Sequence, residues 1–222
     1  MVADEVRWYQ REIRELLQHL YPAQEVKDEW RADFDGWMYT PRLDVAVGPY
    51  AINCQYIDEY DFLMERSRRF VNALIYYHIL NSYQIDLLDL TPDSSIIEII
   101  YQRLLATNPN ARCFLAIEIE KTTSTKHVLG GILNASALGR IAIIVAWYDN
   151  LPLSVDMPLQ VAARQYRRAD SSTRVDIPLL VSLGRYFGFL RHVEKNTLDT
   201  GNVLFLHRAQ LREVLRTALA FE

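Results

Sequence analysis

Glu118, Glu120 and Lys121 stand within four residues of one another in the stretch FLAIEIEKTTSTKH, residues 114–127. Phe114 to Ile119 read as a strand that belongs in a core. Residues two apart on a strand point to one face. Glu118 and Glu120 are therefore expected to share a face with Phe114 and Ala116, while Leu115, Ile117 and Ile119 point the other way. Two neighbouring carboxylates repel, and partial burial raises that cost. A positive partner is expected, either a divalent metal ion or a lysine. A third acid, Asp44, is isolated among Leu43, Val45, Ala46 and Val47 in RLDVAVG. If that strand pairs with 113–120, Asp44 can lie across from Glu118, within side-chain reach. Three oxygen donors would then converge, a hard set suited to Mg²⁺ or Mn²⁺ rather than Zn²⁺.

These residues need elements to hold them. Val6, Tyr9, Ile13, Leu16, Leu17 and Leu20 recur at helical spacing and predict a helix over 4–20, closed by Pro22. The stretch 23–36 is polar and acidic and predicts no element. WMYTPRLDVAVGPYAI reads as strands around a turn, broken by Gly48-Pro49. A helix is expected over 57–81. Another begins at Thr91, as cap, and Pro92 and ends at Asn108-Pro109. The strand ARCFLAIEIE is followed by a helix over 124–139, capped by Ser124 or a nearby Thr, and by the strand RIAIIVAWYD. Further helices are expected near 157–169 and 176–194, with a short strand at 202–206 and a last helix to about 219. Strand–helix–strand over 113–148 predicts an α/β core with helices packed on a sheet.

The bulk properties restrict the reading. The chain has 222 residues, half of them hydrophobic, which suits a single domain with a sizeable core. Its net charge of −4 provides no global footprint for nucleic acid. Arginines do cluster locally, at 66, 68 and 69 and again at 164, 167 and 168. Cys54 and Cys113 are too few and too far apart for a disulfide framework, and a reducing, cytoplasmic setting is expected. The first residues are charged and lack the apolar core of a signal peptide. No apolar run approaches the ~18 residues of a membrane span. The histidines show no metal-ligand spacing, and neither a GxSxG nor a phosphate-binding glycine motif is present.

The order of these pieces resembles the PD-(D/E)XK, or restriction-endonuclease-like, nuclease superfamily. Pro41-Arg42-Leu43-Asp44 and Glu118-Ile119-Glu120-Lys121 match its motif, and the helix 124–139 and strand 141–147 follow in its order. Two residues separate Pro41 from Asp44, and Glu120 stands where most members carry Lys. The resemblance implies one domain over 1–222: a mixed sheet flanked by helices, with a helical insertion at about 50–112. It implies phosphodiester hydrolysis in nucleic acid, DNA first, by Mg²⁺ or Mn²⁺ held by Asp44 and Glu118. Glu120 serves as a further ligand or orients the water, and Lys121 or Lys126 assists. A first-helix glutamate often joins the metal in that superfamily, and Glu12 lies nearer the apolar face than Glu15. The resemblance also implies a homodimer and a restriction or defence context. Ser124, Thr125, His127, Arg164 and Arg168 are candidates for contacts to substrate phosphate. Two rival readings stay open: a non-catalytic interaction module of the same fold, and a metal-dependent hydrolase of small phosphate compounds.

Gly130-Gly131 lies in the middle of the helix predicted over 124–139. Each glycine costs about 1 kcal/mol there relative to alanine. A close approach by a helix, the sheet or a substrate backbone is the expected reason.

Overall fold

The computed structural model describes residues 2–32, 40–52, 54–82, 93–121, 125–147, 154–157 and 201–221. The chain is α/β, and among the described residues a five-stranded mixed sheet is flanked by six helices. The sheet runs in sequence order: β1 (Val26–Arg31), β2 (Arg42–Val47), β3 (Cys113–Glu120), β4 (Gly139–Ala146) and β5 (Val203–His207). β1, β2 and β3 are antiparallel neighbours, and β3, β4 and β5 run parallel. Every residue of β3 and β4 is buried, as expected of parallel strands covered on both faces. In such a strand the positions of Glu118 and Glu120 would ordinarily be apolar.

Two layers of helix cover the sheet. On one face α1 (Val2–Leu20), α3 (Arg68–Ser82), α4 (Ser94–Ala106) and α6 (Arg208–Ala220) pack on Leu115, Ile117, Ile119, Ile141, Ile143 and Val145. The apolar stripe of α1 is the cause of its docking: Val6, Tyr9, Ile13, Leu17 and Leu20 are all buried there. On the other face α5 (Thr125–Leu138) lays Val128, Ile132 and Ala135 on Ala116, Ala142 and Ile144. α5 is the crossover between the parallel strands β3 and β4, so its first turn opens beside the C-terminal end of β3. No helix among the described residues is long and apolar enough to cross a membrane.

The structure departs from the sequence-based expectations at five places. The stretch 23–36 contains β1, whose burial follows no clean alternation because it is an edge strand. The helix expected over 57–81 is two, α2 (Ile57–Arg66) and α3, separated at Ser67. Hydrogen bonds from Ser67 N to Leu63 O and from Val71 N to Ser67 O carry the chain through that bend, so the apolar period is undisturbed and conceals it. α4 starts at Ser94, not at Pro92. Its cap is Asp93, whose carboxylate accepts from the N–H groups of Ser95 and Ile96, both at 2.9 Å. Phe114 does not share a layer with Ala116; it packs against Tyr21 and Tyr60 on the α1 side. The last strand is shifted by one residue, to Val203–His207. The helices expected at 157–169 and 176–194 lie outside the described residues, apart from Met157.

Candidate active site

The antiparallel register pairs Val45 with Ile117 and Ala46 with Ala116. One step further along the same ladder, Asp44 comes opposite Glu118. The strands do not continue as a plain ladder there. Instead the Asp44 carboxylate accepts a hydrogen bond from the N–H of Ile119 at 2.7 Å. The pleat is also interrupted on both strands at this level. Val45 belongs to the core layer on the α1 side and Leu43 to the layer on the α5 side. On β1 Val26, opposite Val47, and Trp30, opposite Leu43, divide the same way. Between these two residues Glu29 has φ 51°, the left-handed region that non-glycine residues adopt at a cost of about 1–3 kcal/mol. The distortion is held in place from outside: Glu29 pairs with Arg42 at 2.7 Å and accepts from Gln10 Nε2 at 3.3 Å. The same Gln10 nitrogen donates to the Asp44 carbonyl at 2.7 Å.

Asp44, Glu118 and Glu120 line one open cavity of about 730 Å³ at the C-terminal end of β3. Its walls carry Arg31 and Arg42 from β1 and β2, Thr40, and Lys126, His127, Gly130, Gly131 and Asn134 from α5. Residues 127, 130, 131 and 134 are one helical stripe, spaced i, i+3, i+4 and i+7. Lys126, His127, Arg31 and Arg42 are exposed, whereas Glu118 and Glu120 are each 9% exposed. Basic side chains therefore stand at the mouth and carboxyl groups at the floor.

Burial is the main cause of the electrostatics at this floor. It pushes the Glu118 carboxyl up to about 9, with the charges of Asp44 and Glu120 adding to the effect. Glu120 is raised to about 7, by burial first and by Asp44 second. Among the described residues nothing donates to the Glu120 carboxylate. Asp44 is raised by burial against the opposing effect of the Ile119 N–H; Glu29 adds to the rise, and Arg42 and Lys121 oppose it. Lys121 is exposed beyond the last residue of β3 and does not line the cavity, yet its charge reaches Asp44. The strand ends at Glu120, so the alternation that would turn Lys121 to the opposite face does not apply.

Glu12 is placed elsewhere, and its expected role as a metal ligand is corrected. α1 covers the face of the sheet opposite α5. There Glu12 accepts from Arg212 at 2.8 and 3.0 Å and from Arg216 at 2.9 Å, on the seam between α1 and α6. The helix reaches the site through Gln10 instead. A polar residue four positions after Val6 and three before Ile13, inside the apolar stripe, was the available signal. Arg31, Arg42, Thr40 and Glu29 were also missed, because β1 shows no strand pattern that would set it beside β2. Ser124, Arg164 and Arg168 lie outside the described residues. Thr125 is the first residue of α5.

Among the described residues no three His, Cys, Asp or Glu side chains are grouped to hold a metal ion as they stand. The donor chemistry nevertheless fits a hard divalent cation. Two buried carboxyl groups, Glu118 and Glu120, and the half-buried Asp44 bring hard oxygen donors to one open cavity. Compared with protein-family models, curated proteins and solved structures, the chain finds no match.

Proposed function

We propose that the protein is a metal-dependent nuclease that hydrolyses phosphodiester bonds in nucleic acid, DNA first. The observation that carries this reading is the gathering of Asp44, Glu118 and Glu120 at the floor of one open cavity whose mouth bears Arg31, Arg42, Lys126 and His127. Carboxylates at the floor and cations at the mouth suit a ligand that brings phosphate to a divalent metal. The motif resemblance to PD-(D/E)XK nucleases supports the same reading independently of the geometry.

Asp44 and Glu118 would hold the metal ion, Mg²⁺ or Mn²⁺, in their ionised forms. A divalent ion there supplies Lewis acidity at a phosphoryl oxygen and lowers the pKa of a bound water. Glu120 has no donor of its own among the described residues and an affinity for protons near neutrality, so it is placed to accept the proton of the attacking water. Lys121 lowers the Asp44 pKa from outside the cavity and Lys126 lines it, which gives the two lysines different roles: one biases the carboxylates, the other meets the substrate. Arg31 has no acidic partner among the described residues and is available to a phosphate oxygen, whereas Arg42 is tied to Glu29. A homodimer that cuts both strands, in a restriction or defence setting, follows from the resemblance alone.

The test is cleavage of supercoiled plasmid and of single-stranded DNA in Mg²⁺ and in Mn²⁺, wild type beside Glu118→Ala. Cutting by the wild type, lowered at least about 100-fold in the variant, supports the reading. Equal cutting by both removes Glu118 from the chemistry. No cutting, with no metal binding by calorimetry, favours the non-catalytic interaction module.

A further inference from the structure

The two adjacent glycines of α5 meet different surroundings. A Cβ built on Gly130 touches nothing within 4 Å. A Cβ on Gly131 would overlap Oε1 of Glu120, and would lie 3.4 Å from its Cδ and 3.9 Å from Cγ of Glu118. The Glu120 carboxylate thus fills the volume that a side chain at 131 would take. Glu120 is 9% exposed, and among the described residues no group donates to its carboxylate, which packs against α5 at Gly131. The wall it packs on is the bare Cα of Gly131.

We propose that Gly131 is a positioning residue. It opens a recess in α5 that seats the Glu120 carboxylate beside Asp44 and Glu118, and any side chain at 131 expels that carboxylate from the recess. The role in metal chemistry rests on the function proposed above, but the seat itself does not. Gly130 provides an internal control, since it sits on the same turn with the same intrinsic cost and has no carboxylate against it.

The experiment uses the full chain and five proteins: wild type, Gly131→Ala, Gly130→Ala, Glu120→Ala and the Gly131→Ala/Glu120→Ala pair. Mn²⁺ affinity is read by calorimetry, and the thermal midpoint is read without metal. Gly131→Ala is expected to weaken Mn²⁺ about tenfold or more, the scale of losing an orienting partner of a ligand. Its midpoint should not fall, because alanine favours the helix and only the end of a flexible side chain must move. Gly130→Ala should leave Mn²⁺ affinity within about twofold, well below that scale. With Glu120 already removed, Gly131→Ala should cost no further Mn²⁺ affinity and should raise the midpoint more than it does in the wild type. Wild-type affinity in Gly131→Ala, or an equal loss with and without Glu120, overturns the proposal. A wild type that binds no Mn²⁺ would overturn the metal reading, and the midpoints then decide alone. A larger rise without Glu120 sustains the seat, and equal rises with and without it remove it.

Discussion

Arg140 and the pair Glu118 and Glu120 are all ionisable side chains buried in the central strands, and the protein treats them in opposite ways. Arg140, 1% exposed at the start of β4, donates to Asp61 and to the carbonyls of Thr107 and Leu105. It fastens α2 and the end of α4 to the sheet. The network of Asn81, Gln210 and His78 behind β5 is of the same kind: Asn81 donates to Phe205 O and Gln210 Oε1, and His78 Nδ1 accepts from Phe205 N. At the C-terminal end of β3, three acids share one cavity, and among the described residues the N–H of Ile119 is the one backbone group donated to them. A fold selected for stability alone would match these carboxylates with donors or replace them with apolar residues. Their concentration beside an open cavity is what separates a site from a structural network.

The contrast can be broken first at its structural side. Arg140→Ala leaves Asp61 and two carbonyls without their donor and is expected to cost about 3–5 kcal/mol, read by denaturant unfolding. A loss under 1 kcal/mol would mean that the buried arginine contributes little and that the two regions do not differ as described.

The second prediction concerns pH. In the unfolded chain Glu118 and Glu120 titrate near 4.5, whereas in the folded protein they do so at about 9 and about 7. Between 4.5 and these values the folded state holds protons that the unfolded state has released, so stability falls as pH rises. The metal-free protein should therefore unfold more easily at pH 8.5 than at pH 5.5, a fall that Glu118→Gln diminishes. If the proposed function holds, Mg²⁺ should stabilise more as pH increases, because a divalent ion takes ionised rather than protonated carboxyl groups. A midpoint that rises over this range, in a protein whose Glu118→Gln variant has the same profile, would refute the protonated floor.

The smallest effect sharpens the comparison within α5. Gly130→Ala should stabilise by up to about 1 kcal/mol, since the space around its Cα is open and helix propensity acts unopposed. Destabilisation would show that the helix needs the glycine for a reason other than packing.

Much of the frame was legible because it depends on local geometry. The alternation in 43–47 and 114–120 implied an Asp44–Glu118 juxtaposition, and the observed register leads to it. The apolar stripe of α1 and the strand–helix–strand order of β3, α5 and β4 follow from periodicities that any chain of this sequence must obey. β1 was hidden because an edge strand with one polar face and a left-handed residue at Glu29 leaves no alternating signal. The bend at Ser67 was hidden because hydrogen bonds run through it.

What the sequence determined by itself is therefore which residues share a face: Glu118 with Glu120, and His127 with Gly130, Gly131 and Asn134. Backbone repeat decides such relations over a few residues wherever the strand or helix is unbroken, as it is not at Phe114 or between Leu43 and Val45. Only the tertiary structure decided what each face meets. It sent Glu12 to Arg212 and Arg216 across the sheet from the carboxylates and brought Gln10 to Asp44. It also pressed Glu120 against Gly131 rather than Gly130. These contacts depend on how helices dock on the sheet, which is set by packing among residues as far apart as α1 and α6, and no short-range pattern encodes it.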